Sequence, residues 1–132
     1  MDIDFQKAAG LVPAIIQDHR TGEVLMLGFM NDVAFQRTVE TGNVTFFSRS
    51  RNKLWKKGEF SGHVLKVREL LVDCDADALL VKVEAIGPGV CHEGYRSCFF
   101  RAVAPNGALE IISGRTFDPE QVYRPEKSEK PR

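Results

Sequence analysis

The sequence has no net charge, no long apolar run and few cysteines. Eighteen Lys and Arg balance eighteen Asp and Glu, so no overall field draws the chain to nucleic acid or anionic lipid, and any anion site must be local. No apolar stretch approaches the roughly 18 residues of a membrane span, and the opening MDIDFQKAAG is acidic and lacks the apolar centre of a secretory signal. A cytoplasmic protein with neither membrane nor nucleic-acid partners is expected. Three cysteines cannot all pair within one chain, and in a reducing compartment they serve metal ligation, catalysis or plain burial.

What is present is an ordinary globular composition, 43% apolar and 27% charged over 132 residues, enough for one hydrophobic core. Residues 11–17 (LVPAIIQ) and 23–29 (EVLMLGF) are apolar runs joined by DHRTG, whose Asp18 and Gly22 suit a hairpin loop. NDVAFQRTVETG offers Asn31 as N-cap, Val33, Phe35 and Val39 as apolar positions and Gly42 as a stop, predicting a helix over 32–41. Strand-type runs follow at 43–48, 63–73, 78–86, 98–104 and 108–112, the last two joined by Pro105-Asn106-Gly107. The expected fold is α+β, a strand-rich single domain over 1–117 with one clear helix. From Asp118 to the end, three prolines and eight charges among fifteen residues predict a flexible tail over 118–132.

Three stretches carry chemistry. The first is DCDAD, residues 73–77: in an extended chain Asp73, Asp75 and Asp77 would project to one side and Cys74 to the other. Hard carboxylates suit Mg²⁺ and a soft thiolate suits Zn²⁺; a solvated turn is the plain alternative. An EF-hand is a poor fit, because its sixth position requires Gly and here holds Ala78, and LLVKVE alternates as a strand. The second is GPGVCHEGYRSC, residues 87–98. With Cys74, its Cys91 and Cys98 could supply the three protein ligands of a catalytic zinc site, or all three could be buried and unligated. His92 could be a fourth ligand or a general base. The third is SRSRNKLWKKGEFSGH, residues 48–63, the chain's one basic cluster. Arg49, Arg51 and Lys57 suit phosphate, Trp55 suits stacking on a base, and His63 could touch substrate; a solvated loop with Trp55 in the core is the alternative. His19, in a turn, reads as a surface residue. A zinc nucleobase deaminase is disfavoured, because no H-x-E followed by P-C-x-x-C occurs.

In order, GLVPAIIQDHRTGEVLMLGFMN, ETGNVTFFSRSRNKLWKKGEFSGH, VDCDADALL and GPGVCHEGYRSCFFR resemble phosphoribosyl-AMP cyclohydrolase, the adenine ring-opening enzyme of histidine biosynthesis, over roughly residues 10–101. The resemblance implies Mg²⁺ on Asp73, Asp75 and Asp77, and Zn²⁺, one per subunit, on Cys74, Cys91 and Cys98. It further implies an intertwined homodimer whose zinc sites draw cysteines from both subunits. The implied substrate is phosphoribosyl-AMP; on chemical grounds hydroxide generated at zinc is expected to attack C6, with His92 as candidate general base. Glu93, Phe29 and Phe100 depart from residues common in the family, and none is an implied ligand. Some relatives carry a further pyrophosphohydrolase domain; a single activity is expected here.

Overall fold

The computed structural model describes residues 2–122. An opening hairpin pairs β1 (Val12–Asp18) with β2 (Val24–Met30). Its loop is shaped by Asp18, whose Oδ1 accepts the N–H groups of Arg20 and Thr21 at 2.8 and 3.3 Å, while Gly22 takes the positive φ of 80° that closes the turn. Helix α1 (Asp32–Thr41) follows. Asn31 Oδ1 caps it by accepting the Ala34 N–H at 2.8 Å, and Gly42 ends it at φ 74°. Two more strands, β3 (Thr45–Ser48) and β4 (Lys53–Lys56), form a second hairpin. The long β5 (Leu65–Val72) and β6 (Leu79–Ala85) flank the acidic turn. A small hairpin of β7 (Arg101–Val103) and β8 (Leu109–Ile111) and the short helix α2 (Pro119–Val122) complete the described chain.

The main sheet runs β2-β1-β6-β5. Its central pair, β1 and β6, is parallel and the outer pairs are antiparallel. Strict alternation puts Val12, Ala14 and Ile16 of β1 and Leu79, Val81 and Val83 of β6 on one face, where α1 and β3 cover them. The opposite face carries a row of aliphatics in register across all four strands, Leu27, Ile15, Leu80 and Leu71. Nothing in the described chain buries that row fully: Leu27 stays 44% and Leu71 38% exposed. The protein is α+β and dominated by sheet, as its sequence pattern predicts, and no helix of the described residues is long and apolar enough to cross a membrane.

Five expectations need correction or extension. Residues 73–77 are not extended but form the turn between β5 and β6, with Ala76 at φ 63°. The helix does not bury Val33 and Val39, which are 50% and 52% exposed, but Ala34 and Thr38. Small residues face inward because the helix lies close on β3: the Thr38 hydroxyl donates to Ala34 O at 2.9 Å and accepts the Thr45 N–H at 3.0 Å. The basic stretch contains a strand, KLWK, which sequence reading treated as loop. Strand β7 starts at Arg101 rather than Cys98, because the Cys98 N–H is already given to Leu25 O at 2.7 Å. Of the tail expected over 118–132, residues 119–122 are helical, and 123–132 lie outside the described residues.

Candidate functional site

The acidic turn is organised by its first carboxylate. Asp73 Oδ1 accepts the N–H groups of Asp77 and Ala78 at 3.0 and 3.1 Å, closing the turn back on β5. One oxygen from each of Asp73, Asp75 and Asp77 comes within 4.8 Å of the others. Lys7 Nζ answers this concentration of charge, at 3.2 Å from Asp75 Oδ2 and 3.1 Å from Asp77 Oδ2. The hydrogen bond from Lys7, and after it one involving Asp77, holds the Asp75 carboxyl below its usual value. An all-oxygen donor set on a turn open to solvent fits a hard cation such as Mg²⁺. Cys74 is exposed on the same turn. Among the described residues the carboxylate triad is the one group of three metal-type side chains that converges, so Cys74 does not meet Cys91 and Cys98 within this chain.

Cys91 and Cys98 do share one surface. Cys91 is 3% exposed and Cys98 half-buried, and both pack with Tyr95 and Phe100, whose rings stack at 3.7 Å. The loop folds back on itself: Val90 N donates to Arg96 O and Cys91 N to Tyr95 O, each at 3.1 Å. Its tight return needs Gly94, where a Cβ would stand 2.6 Å from Phe117 O. Cys91 Sγ accepts the Glu93 N–H at 3.5 Å, a contact that suits a thiolate. Two soft thiols on a pinned loop fit part of a zinc site. His92 is exposed between Cys91 and the turn at Gly94.

The basic cluster divides between two places. Arg49 and Trp55 line a cavity of about 550 Å³ together with Phe29, Phe47 and Ser50, with the Arg49 guanidinium 4.2 Å over the Phe29 ring. Arg51 is exposed in the adjoining turn. Lys57 is instead 2% exposed and donates to Val90 O at 2.6 Å, beneath the cysteine loop. Sequence reading missed the cavity's floor, where Gly28 lies against the fully buried Phe46; the signal was a lone glycine inside an apolar strand. A Cβ at Gly28 would stand 2.5 Å from the Phe46 ring. Gly28→Ala is therefore expected to destabilise the fold by about 1–3 kcal/mol, read by urea denaturation; an unchanged midpoint would show that Phe46 moves freely.

His63 sits on the Lys57 side. Its Nδ1 donates to Gly89 O at 3.1 Å, the Phe117 ring meets it edge-on at 4.9 Å, and Gly87 leaves it room, since a Cβ there would come within 2.6 Å of the imidazole. Burial lowers its pKa below the ordinary 6.5 and the nearby Lys57 charge adds to this, against the opposing Gly89 hydrogen bond. The folded state thus disfavours protonated His63. Its contribution to stability is complete above the unfolded value near 6.5 and is lost as pH falls below it towards the lowered folded value. His63→Asn, which keeps a donor for Gly89, is expected to flatten the melting-temperature profile as pH falls below the ordinary value of 6.5. An acid limb as steep as that of the parent protein would assign it to other groups.

Comparison with known proteins bears on this arrangement. The family model described as phosphoribosyl-AMP cyclohydrolase matches residues 26–100. A protein of that name from Solibacter usitatus is 61% identical over 123 residues, 93% of this chain and 97% of the relative. Similarly named proteins from Desulforapulum autotrophicum and Desulfatibacillum aliphaticivorans are 54% and 52% identical, each over 94% of this chain and over 99% and 98% of their own lengths.

Proposed function

The chain belongs to the phosphoribosyl-AMP cyclohydrolase family, and from that premise we propose that it hydrolyses phosphoribosyl-AMP in histidine biosynthesis, opening the adenine ring between N1 and C6. The observation that carries this reading is similarity to proteins of that name over nearly the whole chain, with the acidic triad and the thiol loop intact. Residues 1–117 form the catalytic domain of a cytoplasmic enzyme.

In the substrate, the second phosphoribosyl group on N1 makes the ring readily cationic and C6 electrophilic. Water adds at C6, and the carbon so formed must expel N1 rather than the exocyclic amine. Cys91 and Cys98 of one subunit and Cys74 of its partner would hold zinc, which would supply a Lewis acid able to activate water near neutral pH. His92, beside Cys91 and open to solvent, takes the proton from the attacking water. Asp73, Asp75 and Asp77 would hold Mg²⁺, which would supply positive charge to help orient the substrate. The aromatic cavity beside Arg49 suits a base with its phosphate, so Trp55 stacks and Arg49 and Arg51 bind phosphate. His63, part-buried beside the cysteine loop, meets the substrate edge nearest it, while Lys57, buried with its ammonium on Val90 O, supports that loop from beneath.

The homodimer follows from the same reading. A zinc site built from two chains explains why Cys74 lies apart from Cys91 and Cys98 in one of them. The uncovered aliphatic row, together with the small hairpin on which Val103 is 71% and Ile111 64% exposed, supplies apolar surface for a second copy to cover.

The test is turnover of phosphoribosyl-AMP by purified protein, followed by the ultraviolet change on ring opening, before zinc chelation, after it, and again after zinc is restored. Activity that disappears and returns with zinc is expected. No ring opening by folded, fully metallated protein would defeat the assignment.

A further inference from the structure

We infer that Arg96 is a positioning residue for the thiol loop, its guanidinium fixing Cys91 and Cys98 together against the buried end of β1. The alternation that sends Val12, Ala14 and Ile16 into the core sends Asp18 the same way, leaving its side chain only 9% exposed. A carboxylate so placed is costly unless its oxygens are matched. Oδ1 is satisfied within the hairpin by Arg20 and Thr21. Oδ2 receives Arg96 Nη2 at 2.6 Å, and Arg96 Nε reaches Glu23 Oε1 at 2.6 Å. One planar fork thus spans the strand end and the hairpin loop, a geometry that a flexible ammonium reproduces only in part.

The same residue's backbone is tied to the stretch of loop that enters Cys91, and it stands two positions before Cys98. Arg96 O accepts the N–H of Val90, the residue before Cys91. Two positions on, the Cys98 N–H goes to Leu25 O at 2.7 Å, and between them the Ser97 hydroxyl donates to Val24 O at 2.8 Å. No slack exists on the inner side of the loop: a Cβ at Gly89 would meet Arg96 Cα at 2.9 Å and Tyr95 O at 2.5 Å. Displacing Arg96 therefore displaces Cys91 and Cys98 together, and the spacing of the two sulfurs is what a tetrahedral ion reads. Glu23, 40% exposed, is the anchor open to solvent screening, and Asp18, 9% exposed, is the one whose charge is left buried if Arg96 is lost.

The inference rests on the proposed zinc role of the two cysteines, and one series separates the two ideas. Zinc affinity is measured on the full chain by competition with a chromophoric chelator, and Co²⁺ is used as a spectroscopic substitute whose sulfur-to-metal band reports thiolate geometry. Circular dichroism checks folding in each sample. Arg96→Ala is expected to weaken zinc by roughly 10-fold or more, as for loss of partners that orient metal ligands, and to shift the Co²⁺ band. Arg96→Lys should recover part of the loss and Asp18→Asn should reproduce it, while Glu23→Gln should change little. If Arg96→Ala fails to fold, Asp18→Asn and Arg96→Lys decide in its place. Parent-like zinc affinity and Co²⁺ band in the folded variants would overturn the positioning role. A parent protein that binds no zinc, or a Cys91→Ala variant that keeps it, would instead defeat the zinc reading itself.

Discussion

Cys91→Ala is expected to abolish bound zinc and ring opening together. Cys91 is the most buried of the three cysteines, at 3% exposure, and its sulfur already accepts the Glu93 N–H. Both features favour a fixed ligand over a reactive surface thiol. With Cys91 gone, two thiolates remain, too few to hold zinc against chelation at the concentrations of an assay. The substitution removes a single sulfur beside Tyr95 and Phe100, so the fold should survive it. Metal analysis gives the content and ultraviolet turnover gives the activity. Cys74→Ala should have the same result despite its exposed position on a different turn, because the proposed site takes that cysteine from the partner subunit. Stoichiometric zinc retained by either folded variant would remove that cysteine from the ligand set.

The elements legible in the sequence were those bounded by local chemistry. Asn31 and Gly42 delimit α1 because a cap and a left-handed residue act within one turn of chain, and the DHRTG loop declares itself through Asp18 and Gly22. The side of α1 that faces inward was not legible. Valines at 33 and 39 carry more hydrophobicity than Ala34 and Thr38, but close packing on β3 selects small side chains and a hydroxyl that can serve the Thr45 N–H. The strand KLWK was hidden because its pairing partner, TFFS, determines it more than its own composition does.

The site divides along the same line. DCDAD brings its carboxylates together through a turn, not through strand alternation, so the grouping was readable while its geometry was not. Lys57 and Arg49 look alike in a basic string, yet one is buried beneath the cysteine loop and the other lies over Phe29 at the cavity. The pairing of Asp18 with Arg96 spans 78 positions, and neither residue's own neighbourhood points to the other. Sequence reading placed Asp18 in the hairpin loop after a run over 11–17, so its position at the buried end of β1 was not anticipated.

His92→Ala is expected to leave zinc in place while turnover falls by roughly 10²-fold or more, the usual loss when a general base is removed. The split follows from where the residue stands. His92 lies next to Cys91 yet is exposed, on the stretch of loop between the buried thiol and the return at Gly94, so it can reach water or substrate. Three thiolates bring a net charge near −1 to a zinc site, which weakens its pull on a water molecule and makes a neighbouring base more valuable. The acid limb of the turnover profile should therefore flatten in the variant, because the group that must be deprotonated is gone. Near-normal turnover would remove His92 from the mechanism. Loss of zinc would instead make it a fourth protein ligand, closing the site to water; X-ray absorption showing three sulfurs, one nitrogen and no exchangeable oxygen would then mark the metal as structural and the ring-opening reading as wrong.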